Sequence, residues 1–74
     1  MAFEALLTDD LVRIAAAGGG FRLQAGVRAT EDLVRIAAAG SRHNARLIFV
    51  GLGARTTDDI VRISAAGKGG VFFE

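Results

Sequence analysis

At 74 residues the chain is one small domain, and a domain this short buries only about 60% of its unfolded surface, which makes a monomer marginal. It has no cysteine, which excludes disulfides and thiolate metal sites, and its single histidine, His43, cannot assemble a zinc site with ordinary partners. It is 51% hydrophobic with a net charge of +1, so it lacks the basic excess of a dedicated nucleic-acid surface yet carries more apolar surface than so small a volume hides. Self-association, a homodimer first, is the remaining way to cover that surface.

No apolar run approaches the length of a membrane span, and Met1 opens no signal-peptide pattern. The expectation is a soluble chain without a membrane partner, cytoplasmic if natural. The chain lacks proline, tryptophan and tyrosine as well as cysteine. Together with the near-identical copies described next, this simplified composition fits an engineered or de novo repeat.

In chain order, the first predicted element is a β-prone segment at 2–7. A helix follows, in which residues 8–18 read TDDLVRIAAAG. The same phrase returns at 30–40 as TEDLVRIAAAG and at 57–67 as TDDIVRISAAG. Thr8, Thr30 and Thr57 are placed to act as N-caps, with acidic residues behind them that complement the helix dipole. Arg13, Arg35 and Arg62 stand three or four residues beyond those acids, at the spacing of pairs within one helix. Gly18, Gly40 and Gly67 are placed to end the helices as left-handed caps. The apolar arc of Leu11, Ile14 and Ala15, with Val12 and Ala16 beside it, is wide enough to touch both a sheet and a neighbouring helix.

Between the helices lie β-prone segments at 21–25, 46–50 and 71–73, rich in phenylalanine. The order is therefore β-α-β-α-β-α-β, which implies parallel strands and right-handed crossovers. The domain divides into an N-terminal strand at 2–7 and units at about 8–29, 30–56 and 57–74. Three equivalent helices favour a sequential sheet with all helices on one face. The alternative is a small doubly wound sheet. The central strand is apolar on both sides, with Leu47 and Phe49 on one and Ile48 and Val50 on the other, so the bare face is the expected interface. Leu6, Ile48, Val50 and Phe72 are its expected residues. Both terminal strands are further places for another chain to pair, and no proline interrupts the last of them at 71–73.

Chemistry is sparse. The glycine-rich turns at 18–20 and 67–70 follow helices, where the dipole repels anions, so they read as tight helix-to-strand turns. Gly51, Gly53 and Arg55 lie between a strand and a helix start, the arrangement of an anion or nucleotide site, although position 56 is threonine where a full dinucleotide motif has glycine. This is the alternative function. A second alternative is weak nucleic-acid binding through a stripe of Arg13, Arg35 and Arg62, each with acidic neighbours on the same face. His43 lies in the inserted turn at 41–44, with no residue placed to make it a catalytic base. No catalytic residue, metal ligand or cofactor is assigned, and the chain reads as a non-catalytic structural or self-associating repeat.

The phrase at 8–20, TDDLVRIAAAGGG, resembles the first helix and loop of the TAL-effector DNA-binding repeats of plant pathogens. Those repeats are longer and carry a second helix where this chain has β-prone residues. The unit is also similar in size to leucine-rich repeats but lacks their leucine and asparagine pattern. Neither family is assigned.

Overall fold

The helical phrases and the β-prone runs between them fold as alternating layers. The computed structural model describes residues 3–74. A 3-10 turn, Phe3–Ala5, leads into helix α1 (Thr8–Ala16) and strand β1 (Phe21–Gln24). Helix α2 (Thr30–Ser41), strand β2 (Leu47–Val50), helix α3 (Thr57–Gly67) and strand β3 (Val71–Phe73) follow. The sheet is parallel in the order β1-β2-β3. Sequential order with right-handed crossovers sets all three helices against one face of the sheet. The doubly wound alternative does not occur.

The core lies between the helices and that face. Leu11, Leu33, Ile36 and Ile63 descend from the helices, and Leu23, Leu47 and Phe49 rise from the strands, all fully buried. Burial of each such side chain contributes about 1.5–3 kcal/mol. Strand β1 alternates buried and exposed residues, whereas β2 alternates buried Leu47 and Phe49 with half-buried Ile48 and Val50.

The expected N-terminal strand at 2–7 is not a strand over its described residues. Leu6 N donates to Phe3 O at 3.0 Å, closing a turn. The same turn precedes the other two helices, through Arg28 N to Ala25 O and Arg55 N to Leu52 O, each at 3.0 Å. The repeat thus begins five residues before each threonine. Phe3 holds the place that Ala25 and Leu52 hold later, and its ring stacks on Phe21 with centroids 5.2 Å apart. An apolar residue at this position anchors a turn to the core, so the sheet has three strands rather than four among the described residues.

The helix ends also differ from expectation. The N-cap positions are Leu7, Ala29 and Thr56, one residue ahead of the predicted threonines. Only Thr56 caps with its side chain, accepting from Asp59 N at 3.2 Å. Gly18 does take the left-handed conformation after α1 (φ 91°). Gly40 and Gly67 instead lie inside their helices, and Lys68 is the left-handed cap of α3. Gly40 is there for close packing. A Cβ on it would lie 3.1 Å from Leu47 Cδ1, 3.2 Å from Ala45 Cβ and 3.6 Å from Ala15 Cβ. Gly67 likewise packs against Val71 and Ala37.

Candidate functional site

Pleating brings Ile48, Val50 and Phe72 to the face without helices. The parallel register aligns Arg22, Ile48 and Phe72 across the sheet, with Gln24 beside Val50 in the next outward-facing row. Phe72 is 49% exposed. Leu6 does not join them. It belongs to the turn before α1, packs against the helix-side core, and borders a groove with Asp10, Arg13, Ile14 and Ala17. Three of the four expected interface residues therefore share one surface. A charged pair crosses it: Arg22 Nε and Nη2 donate to Glu74 Oε1 at 3.0 and 2.8 Å.

A set of joints that the sequence reading missed holds successive units together. Arg28, two residues before Thr30, reaches back to the first unit. Its Nη1 donates to Thr8 Oγ1 at 3.0 Å and its Nη2 to Leu6 O at 2.7 Å. Arg55, two residues before Thr57, does the same to the second unit. Its Nη1 donates to Thr30 Oγ1 at 2.7 Å, and its Nη2 donates to Gly26 O at 3.2 Å and to Arg28 O. Thr8 and Thr30 thus accept from an arginine of the following unit, from a position one residue inside the N-caps Leu7 and Ala29. The signal was present as an arginine at one fixed position before Thr30 and Thr57.

Arg55 therefore serves a joint and does not face the front of α3, where an anion would sit. Of its expected companions, Gly51 (φ 87°) donates its N–H to Glu74 O at 3.2 Å, and Gly53 stands open to solvent. An anion in front of α3 would also meet Asp58 and Asp59 in the first helical turn.

The arginine stripe pairs between helices more than within them. Arg35 meets Asp9 of α1 at 2.8 Å, and Arg62 meets Glu31 of α2. Within one helix, Arg62 also approaches Asp59 at 3.9 Å. The hydrogen bond and then the charge of Glu31 raise the Arg62 pKa above its ordinary value. Carboxylates thus neutralise Arg35 and Arg62, two of the three arginines expected to contact phosphates. His43 is exposed. Among the described residues no group of His, Asp or Glu is placed to hold a metal, and no helix is long and apolar enough to cross a membrane.

The two ends of the array differ from its middle. Ile36 and Ile63 are fully buried, but their counterpart Ile14 in the first unit is half-buried. Leu11 and Leu33 are fully buried, but Ile60 in the third unit is half-buried. Ala15 and Ala37 are buried against the next helix, and the third copy of that position is the exposed Ser64. Beside α3 and β3 lies a groove of about 410 Å³ whose lining includes Leu52, Gly53, Arg55, Thr57, Ile60 and Phe73. No family model, curated protein or solved structure matches the chain.

Proposed function

We propose that this chain is a non-catalytic structural module that self-associates, as a dimer first, through the open sheet face and the β3 edge. The observation that carries the reading is the apolar group of Ile48, Val50 and Phe72 on the side of the sheet that no helix covers. Phe73, 39% exposed and in register with Phe49, adds apolar surface along the β3 edge. A parallel edge strand offers unpaired backbone groups, and β3 has no proline to blunt it. Glu74, the charged residue that follows β3, is engaged by Arg22. An engineered or duplicated repeat whose purpose is its fold fits the same reading.

The test is the concentration dependence of thermal unfolding. Association stabilises the folded state by mass action, so Tm is expected to rise with protein concentration. A Tm independent of concentration over a wide dilution range would count against the proposal.

A further inference from the structure

The arginine joints repeat with the fold, and the third unit carries a third set of acceptors. In the second unit Arg55 is held by Thr30 Oγ1, Gly26 O and Arg28 O. The corresponding atoms of the third unit are Thr57 Oγ1, Gly53 O and Arg55 O, at the same steps along the chain. The backbone presenting them is the same. Both turns close with a 3.0 Å bond, from Arg28 N to Ala25 O and from Arg55 N to Leu52 O. The cap residues that follow share one conformation, φ −67° and ψ 147° at Ala29 and φ −66° and ψ 155° at Thr56. Gly53, Arg55 and Thr57 all line the groove beside α3. No described residue donates to these three oxygens.

We propose that this groove is a receptor for a guanidinium group, taking an arginine side chain presented by another polypeptide as Arg28 and Arg55 are presented within this one. Three convergent acceptors suit the planar fork of arginine and offer less to the point charge of lysine. Leu52, Ile60 and Phe73 give the methylene stem an apolar wall. Arg55 lines the groove too, but its guanidinium points into the preceding joint. Its acceptors lie on the turn before α3, apart from the open sheet face, while Phe73 of its wall also borders the β3 edge.

The test is an amide chemical-shift titration of the protein with N-acetyl-arginine amide, with N-acetyl-lysine amide as the comparison. Saturable shifts are expected at Gly53, Arg55, Thr57 and Asp58 with the arginine compound only. Thr57→Val is expected to weaken binding roughly tenfold, the effect of one lost hydrogen bond to a charged group, and Thr57→Ser to retain it. The Thr57 hydroxyl has no hydrogen-bond partner among the described residues, so the rest of the Thr57→Val spectrum is expected to be unchanged. An equal response to lysine, binding that Thr57→Val leaves intact, or shifts centred on Asp9 and Glu31 would overturn the proposal.

Discussion

Arg22 on β1 and Glu74 after β3 join across the open face of the sheet, spanning β2 between its outward residues Ile48 and Val50. Neighbouring strands lie about 4.8 Å apart, so the pair bridges two strand spacings and lies over the apolar middle of the face. Both side chains remain substantially exposed, at 63% and 49%. The pair is therefore weak as a stabiliser. A double-mutant cycle with Arg22→Ala and Glu74→Ala, read by denaturant unfolding, is expected to give a coupling of about 1 kcal/mol or less. Removing the pair uncovers Ile48 and Val50, so the double variant is expected to associate at lower concentration than the parent.

The arginine joints are a stronger determinant of stability than the surface ion pairs. Arg55→Met removes a charged donor from three oxygens at once, and is expected to cost about 2–3 kcal/mol in denaturant unfolding. Thr30→Val, which removes one acceptor from the same joint, is expected to cost about 1–2 kcal/mol. Thr57→Val, with no donor to lose, is expected to change stability by less than about 0.5 kcal/mol. Equal effects at Thr30 and Thr57 would contradict the assignment of the joints.

Two glycines separate backbone crowding from open space. A Cβ on Gly20 would lie 2.5 Å from Arg46 O, the carbonyl that accepts from Phe21 N as β1 joins β2. Gly20→Ala is expected to destabilise by about 2 kcal/mol or more, because the collision is with backbone rather than with a movable side chain. Nothing lies within 4 Å of a Cβ on Gly53. Gly53→Ala is expected to be neutral or to stabilise by up to about 1 kcal/mol through the unfolded chain. Thermal unfolding of the two variants side by side checks both.

The bridges from Arg35 to Asp9 and from Arg62 to Glu31 tie neighbouring helices at the surface, with more than half of each carboxylate side chain exposed. Each of Arg35→Ala and Arg62→Ala is expected to cost about 0–1 kcal/mol, with the difference from the parent shrinking as salt is raised. A larger, salt-independent loss would mean that these side chains pack as well as pair.

The strand–helix alternation and the one-sided helices were legible in the sequence because copied apolar patterns need equivalent environments. Leu11, Leu33 and Ile63 filled the positions that the helical period assigned to the core. The N-terminal turn was not legible, because Phe3 and Leu6 suit a short strand as well as they suit a turn anchored to the core. Gly40 and Gly67 misled for a related reason. Glycine after a helical pattern signals either a left-handed cap or a close approach, and only the packing of Ala15 and Ala37 against them distinguishes the two. The joints of Arg28 and Arg55 were visible as spacing but not as contacts, since nothing local indicates that an arginine reaches back to the preceding unit. Strand alternation placed Ile48, Val50 and Phe72 on the open face, and Leu6 lies in the turn before α1 rather than in the strand it was assigned to.

The most direct measurement is light scattering coupled to size-exclusion chromatography across a dilution series, on the parent chain and on Ile48→Lys. Phe72→Lys serves as a second variant, and circular dichroism establishes that each is folded. The expected result is a parent dimer or larger assembly and a folded monomer for at least one lysine variant. A parent that is monomeric at every concentration, or an assembly that both folded variants leave intact, would contradict association through the open sheet face.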